Sequence, residues 1–271
     1  MVKVVILGST GMLGNAVSKV FKNGNYEVLS SCRKEEFLDD NSFYFDASKT
    51  SLNEIPECDY LINCIGIIKP YMKSSLSNNI YINSIFPRNL SSWCESKGIK
   101  MIHITTDCVF SGNSGFYTEE SHHDCLDEYG KSKSLGEPDD CMVLRTSIIG
   151  EEIHSFSSLI SWVKSQEGKE ISGFTNHLWN GMTTKQYAKC CMKIIENDLF
   201  EKGLFHLHSD DVSKYELVSL ICETYDLNIK INPTVVNSSC NRTLRSKKNL
   251  INKLKIPKIK TQLLEMIDDR I

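Results

Sequence analysis

Apolar residues in the first half of the chain come in short β-branched and aromatic runs, separated by longer segments with helical spacing. Lys3-Val4-Val5-Ile6-Leu7 is continuously apolar after its lysine, the pattern of a strand buried on both faces. Behind it Leu13, Val17, Val20 and Phe21 recur on one face of a helix. The rhythm repeats. Tyr26–Ser31, Phe43–Asp46, Asp59–Gly66, Lys100–Thr106 and Met142–Ile149 read as strands, and Asn78–Lys97 as a long amphipathic helix interrupted near Pro87. Strands alternating with helices predict βαβ units. The fold class expected is α/β, a Rossmann-type doubly wound parallel sheet covered on both faces.

Beyond Gly150 the pattern changes. Ser157–Trp162 has helical spacing, Asn176–Thr184 reads as an irregular polar and aromatic loop, and Lys185–Glu196 is helical again. Gly203–Ser209 reads as a strand, Ser213–Tyr225 as a helix with Ser213 as its N-cap, and Ile229–Val236 as a last strand. This alternation is too sparse for a second doubly wound domain and predicts a smaller α/β lobe over the sheet. The division expected is 1–150 for the sheet domain and 151–271 mainly for a substrate-binding lobe. The chain is expected to return to the sheet around 182–206.

Composition narrows the classes without choosing among them. With 271 residues, 41% hydrophobic and 24% charged, the chain is an ordinary globular protein with ample core. A net charge of −3 gives no reason to expect nucleic acid or an anionic membrane as partner. The basic stretch Lys247–Lys260 is interleaved with Leu and Ile, as a solvated helix face would be. The 11 cysteines are scattered, odd in number and never spaced Cys-x-x-Cys, which argues for a reducing compartment and against a disulfide framework or zinc site. No metal site is expected. Val4–Leu7 is too short for a signal segment or a membrane span, and a cytoplasmic location is expected.

The first candidate chemistry is the turn Gly8-Ser9-Thr10-Gly11-Met12-Leu13-Gly14. Strand, glycine-rich turn and helix N-terminus together make an anion site. Gly8 permits the tight turn, Gly11 lets backbone approach a pyrophosphate, and Gly14 lets helix lie on strand, with Thr10, Met12 and Leu13 supplying the backbone between. The reading is dinucleotide binding. After the second strand no acid occurs before Glu35, whereas Arg33 stands where a 2′-phosphate would lie, so NADPH is expected over NADH. The alternative for Arg33 is an ordinary surface charge. Asp46 is placed to approach the adenine, and Cys64 and Gly66 to line the cofactor. Ligands of such sheets sit at the carboxyl ends of the strands, which brings the Gly8 loop, Gly66, Thr106 and the segment Asp127–Gly136 around one crevice.

That segment holds Tyr129-Gly130-Lys131-Ser132-Lys133, whose Tyr129 and Lys133 share a face if it is helical. A phenol, ordinarily titrating near 10, is a poor proton donor at neutral pH, and a nearby ammonium is expected to move it down. A hydroxyl such as Thr106 can hold the same carbonyl oxygen. The spacing by itself also fits any solvated helix face.

Gly8-x-x-Gly11-x-x-Gly14 with Tyr129-x-x-x-Lys133 resembles the extended short-chain dehydrogenase/reductase superfamily. Thr105-Thr106-Asp107-Cys108-Val109-Phe110-Ser111-Gly112 and Tyr117-x-Glu119, with Gly136-Glu137 and Arg145-Thr146, resemble the dTDP-4-dehydrorhamnose reductase family. The resemblance is looser after residue 150. It implies that Thr106, Tyr129 and Lys133 are catalytic: Thr106 and Tyr129 on a sugar C4 carbonyl, Tyr129 giving the proton, Lys133 on the nicotinamide ribose. It also implies a nucleotide-diphosphate 4-keto-6-deoxy sugar as substrate, and a homodimer. Asp107, Arg242, Arg245 and the Asn176–Thr184 loop with Trp179 and Asn180 are the substrate-binding candidates, Trp179 being equally well a core or lid aromatic.

Cys108 departs from the family pattern. The superfamily's 4,6-dehydratases have an acid there, which makes dehydration disfavoured. A cysteine at this place resembles GDP-fucose synthases and 3,5-epimerase/4-reductases, where a thiolate removes a proton beside the ketone and a second group, here His154, His177 or Lys164, returns one. Passive replacement is the other reading of Cys108. A third expectation, from a different class, is a non-catalytic NADP-binding subunit resembling the β subunit of methionine adenosyltransferase.

Overall fold

The computed structural model describes residues 1–72, 75–153 and 158–267. In chain order the elements are β1 (Val2–Leu7), α1 (Met12–Lys22), β2 (Tyr26–Cys32), β3 (Ser42–Tyr44), β4 (Tyr60–Asn63), α2 (Leu76–Ile80), α3 (Phe86–Lys97), β5 (Lys100–Thr106), α4 (Glu128–Leu135), β6 (Met142–Thr146) and β7 (Ile148–Ile149). There follow α5 (Leu159–Lys164), β8 (Glu170–Phe174), β9 (His177–Trp179), β10 (Met182–Thr183), α6 (Thr184–Glu196), β11 (Gly203–His206), β12 (Val212–Ser213), α7 (Lys214–Tyr225), β13 (Lys230–Thr234), β14 (Cys240–Asn241), α8 (Leu250–Leu254) and α9 (Ile259–Ile267).

Seven parallel strands form the main sheet in the order β11-β6-β5-β4-β1-β2-β3, a Rossmann-type arrangement. Alternate residues of each strand face opposite sides, and both sides are apolar. Val4, Ile6, Ile62, Ile102 and Leu144 meet α1 and α6 through Val17, Phe21, Tyr187 and Ile194. Val5, Leu7, Leu61, Met101 and Val143 meet α3 through Phe86, Leu90 and Cys94. Burial on both faces is why these strands read as continuous apolar runs. After the small lobe begins, the chain comes back: α6 lies against α1, and β11 pairs with β6 in the register Phe205 to Leu144.

The small lobe has its own core of Ile160, Val163, Trp179, Leu217, Ile221, Ile259 and Leu263. It contains the parallel pair β8–β13 and the three-stranded set β12-β9-β14. Ser213 caps α7 in a reciprocal box with Glu216.

Several boundaries differ from the sequence expectations. The sixth strand stops at Thr146, and Ile148–Ile149 pairs instead with β10. The segment expected as an irregular loop carries β9 and β10, because partners distant in sequence take up its backbone groups. The long helix is interrupted near Pro87, as expected, though by a π-helical turn over Tyr81–Ile85 rather than by the proline itself. Pro87 sits in the first turn of α3, where a missing N–H costs nothing. Of the helix expected from Ser157, that residue lies outside the described residues, and α5 starts at Leu159 behind the capping hydroxyl of Ser158. Among the described residues no helix is long and apolar enough to cross a membrane.

Candidate active site

The glycine turn joins β1 to α1. Gly8 has φ +83° and donates its N–H to Ser31 Oγ at 2.9 Å, while Ser9 donates to the Ser31 carbonyl. A Cβ on Gly14 would overlap the Gly8 carbonyl oxygen, so only glycine lets α1 start this close to the strand. Gly11 is the N-cap of α1, no side chain caps the helix, and no acid lies in its first turn. The N-terminus of α1 is therefore left to an external anion. A Cβ on Gly8 would stand 3.1 Å from Ile65 Cγ1, and one on Gly66 3.8 Å from Lys133 Nζ. The turn, the Cys64–Gly66 segment and Lys133 are thus contiguous.

Arg33 is exposed one residue beyond β2, and its charge acts on Asp46. The Asp46 carboxylate accepts from Ser48 N and Oγ, closing a local turn. Cys64 follows β4, with its thiol pushed up to about 12 by burial.

The fold brings Thr106, Cys108, Tyr129 and Lys133 together. Asp127 caps α4 by accepting from Gly130 N at 2.8 Å. Gly130 permits the approach that matters: a Cβ there would overlap the Cys108 carbonyl oxygen. With that contact, α4 lies on the turn Asp107–Val109, and the Tyr129 phenol comes near enough to the Thr106 hydroxyl to feel its influence. Lys133 is buried and donates from Nζ to the Ile104 carbonyl at 3.1 Å. Burial brings its amine down to about 8, against the pull of Glu137.

The expectation for Tyr129 needs correcting. Burial raises the phenol above its ordinary value, with Cys108 and Asp107 adding to the rise and Thr106 opposing it. Desolvation outweighs any help from Lys133, whose ammonium is engaged by a backbone carbonyl. The phenol therefore stays protonated, the form a proton donor needs.

Cys108 is corrected in the same direction. Burial first, then the Asp107 carboxylate, pushes its thiol up to about 12, opposed by Lys69 and Arg242. A thiolate base is scarce there at neutral pH. Of the proposed second groups among the described residues, Lys164 donates to Glu151 and lies over Tyr225, and His177 donates to the Ser238 carbonyl. His154 lies outside the described residues.

Burial raises the Asp107 carboxyl above its ordinary value, with Arg242 and Lys214 opposing the rise in part, and it accepts from Thr106 Oγ1 at 3.2 Å. Arg242 donates from Nε to the Phe110 carbonyl at 2.9 Å and from Nη2 to Ser111 at 3.2 Å. Its guanidinium is thereby fixed to the loop that follows Cys108. By contrast, Trp179 is 4% exposed and belongs to the lobe core. Asn180 spends its amide on the Leu244 backbone and Asp211, and Arg245 is paired with Asp211. Asn180 and Arg245 thus join segments of the lobe that are distant in sequence, and Trp179 packs within its core.

Sequence reasoning missed three residues. Lys214, the first residue of α7, lies over Trp179 at 5.3 Å and acts on Asp107 and Cys108. Lys69 pairs with Asp127 at 2.8 Å and lies 5.9 Å from the Tyr129 ring centroid. Asn83, in the π-helical turn, accepts from Ile67 N and donates to the Ile67 carbonyl and to Ser132 Oγ, while Ser84 donates to the Ser132 carbonyl. Only Asn83 had a local signal, an amide inside an otherwise apolar helix face.

The family model described as the RmlD substrate binding domain matches residues 2–267. The chain belongs to this family. Among curated relatives, this RmlD-family chain is 25% identical over 247 residues to the methionine adenosyltransferase 2 subunit beta of Danio rerio, across 83% of this chain and 74% of the relative. It is 26% identical over 237 residues to a probable low-salt glycan biosynthesis reductase, Agl14, of Haloferax volcanii, across 80% and 78%. The solved structure of a dTDP-4-dehydrorhamnose reductase from Bacillus anthracis, in complex with NADP, matches all of both chains with a TM-score of 0.78 at 19% identity. That last likeness is one of fold. One of these relatives thus bears the name of a probable reductase and another that of an enzyme subunit. The residues of this chain fit a dinucleotide: the cradle at Gly14 is one a Cβ would fill, and the helix end behind it is uncapped.

Proposed function

We propose that the chain is an NADPH-dependent reductase of a nucleotide-activated 4-keto-6-deoxy sugar, with Tyr129 as proton donor to the C4 oxygen. One observation carries this reading: the Thr106–Tyr129 pair is contiguous, through Lys133 and Gly66, with the uncapped glycine turn. Residues 1–150 are then the cofactor domain, and 151–271, apart from 182–206, the lobe that takes the sugar nucleotide. Backbone N–H groups from Gly8 through Gly14 would hold the pyrophosphate, Arg33 the 2′-phosphate and Lys133 the nicotinamide ribose. The dinucleotide, when bound, supplies the hydride.

Thr106 and Tyr129 donate hydrogen bonds to the substrate carbonyl oxygen. The Tyr129 Oη–H bond breaks as that oxygen takes up the proton, and the phenolate left behind is stabilised by the Lys133 ammonium. Arg242 and Lys214, beside Asp107, supply positive charge for the substrate's anionic part. A cytoplasmic homodimer is the assembly this reading expects.

The test is NADPH oxidation on addition of 4-keto sugars linked to thymidine, uridine or guanosine diphosphate, by the native protein and by Tyr129→Phe. Turnover by the native chain that Tyr129→Phe loses, with NADPH binding retained, supports the reading. No oxidation with any of the three sinks it.

The Danio rerio relative favours a second reading, a cofactor-binding subunit of another enzyme. Its mark would be a Tyr129→Phe protein that does everything the native one does. The epimerase reading of Cys108 is left with little support by the height of its thiol.

A further inference from the structure

Arg145 is among the largest wholly buried side chains, near the C-terminal end of β6 between Thr105 of β5 and His206 of β11. A guanidinium so enclosed needs its N–H groups taken up. Nε donates to Glu137 Oε1 at 3.1 Å and Nη2 to Oε2 at 2.5 Å. Nη2 also donates to His123 Nε2 at 2.6 Å, and Nη1 to His206 Nε2 at 2.8 Å. The guanidinium lies over the Phe110 ring, 5.1 Å from its centroid. Since a guanidinium only donates, both imidazoles accept at Nε2 and carry their proton on Nδ1. His123 then donates to Ser134 Oγ, and His206 to the carbonyls of Tyr117 and Arg245.

These partners come from the three segments that carry the candidate chemistry. Phe110 and His123 belong to the loop that follows Thr106–Cys108. Ser134 and Glu137 end the helix that carries Tyr129 and Lys133. His206 leads, through the Arg245 carbonyl, to the segment that follows Arg242. Glu119 closes the far side by accepting from His206 N, Ser246 Oγ and Lys247 N. Arg145 has no exposed surface and cannot meet a substrate.

We propose that Arg145 is a positioning residue for the reduction, holding the Thr106–Cys108 loop, the Tyr129–Lys133 helix and the Arg242 segment in register through Glu137, His123 and His206. What is positioned rests on the reductase reading; that the cluster sets the state of Lys133 does not. Glu137, held by Arg145, opposes the lowering of the Lys133 amine by burial, so removing its charge is expected to move that amine further down. The groups facing His123 are Arg145, Glu137 and Asp124, and those facing His206 are Arg145 and Glu119. Protonating either imidazole removes the lone pair that Arg145 uses.

Arg145→Lys keeps the charge but cannot span these acceptors. Its kcat is expected to fall about 10- to 100-fold, the loss that follows a misplacement of about 1 Å, with KM for NADPH and sugar within about threefold of native. If that variant fails to fold, His123→Gln, at the half-exposed rim, takes its place, with a several-fold loss of kcat expected. A second measurement needs no turnover: the pH profile of Lys133 acylation, read by peptide mass in the native protein and in Glu137→Gln. The native midpoint, near 8, is expected to move down in the variant. Native kcat in Arg145→Lys, a loss carried wholly by KM, or an unchanged Lys133 profile in Glu137→Gln overturns the proposal. If the native chain turns over no nucleotide sugar, the reductase reading fails, and the acylation profile still decides whether the cluster governs Lys133.

Discussion

At the main sheet, the candidate groups stand at the ends of central strands or on a helix pressed against them, and they meet one another. On the small-lobe side, the residues that look equally suited by type are turned inward. Tyr129 and Thr106 meet because Gly130 lets α4 lie on the turn that carries Cys108. Trp179 and Asn180, in contrast, fill the lobe core and satisfy the Leu244 backbone. Among the described residues of the lobe, Lys214 and Arg242 act on Asp107 and Cys108. The lesson is that a sheet edge supplies chemistry from few, tightly held positions, whereas a small lobe must first use its large and polar side chains to hold itself together.

The contrast is broken most sharply at Tyr129. Tyr129→Phe removes the proton donor and is expected to lower kcat about 100- to 10,000-fold, with NADPH affinity by fluorescence titration unchanged. Next comes Gly130→Ala, whose added Cβ would meet the Cys108 carbonyl. Forcing α4 off that turn is expected to cost about 3 kcal/mol of stability by denaturant titration, and most of the activity. Asn180→Ala tests the other side. Leaving the Leu244 N–H and carbonyl unpaired is expected to cost about 2 kcal/mol, while KM for the sugar nucleotide holds and Arg242→Ala raises it. A rise in KM from Asn180→Ala alone would return that residue to the binding surface.

The pH profile gives a smaller effect with a definite sign. The Lys133 amine, brought down to about 8, is charged below that value and neutral above it. If the ammonium stabilises the phenolate, kcat is steady below about 8 and declines as pH rises through it, whereas the Tyr129 phenol, held high by burial, sets no limb in this range. The smallest change expected is at Arg33. Arg33→Ser should reduce the preference for NADPH over NADH by about tenfold, read as the ratio of kcat/KM values, since one exposed charge on a phosphate contributes on the order of 1 kcal/mol.

Much of the sheet was legible because parallel strands buried on both faces leave continuous apolar runs, and Val4–Leu7 and Tyr60–Ile62 are of that kind. The glycine turn was legible because its geometry excludes other residues. Asp107–Cys108 and Tyr129–Lys133 could be named, but not the state of their protons: the phenol and thiol are governed by burial, which no local spacing encodes. The partners of Asn180 could not be read for a related reason. Asp211 and Leu244 are distant in sequence, and only the folded lobe joins them. Lys214 went unseen because at the start of a capped helix it resembles any solvated first-turn residue.

The π-helical turn over Tyr81–Ile85 acts as a change of gear within one long rod. Each residue of an α-helix rotates its side chain by about 100°, so one residue of slack lets the two halves of the rod point their useful sides in different directions. The half after Phe86 keeps its oily stripe on the sheet, while Asn83 and Ser84 swing round to clasp Ile67 and Ser132. Trimming a single residue there would leave a well-formed rod that must choose between the two, and whichever it kept, the floor under Gly66 and the helix of Tyr129 would come apart.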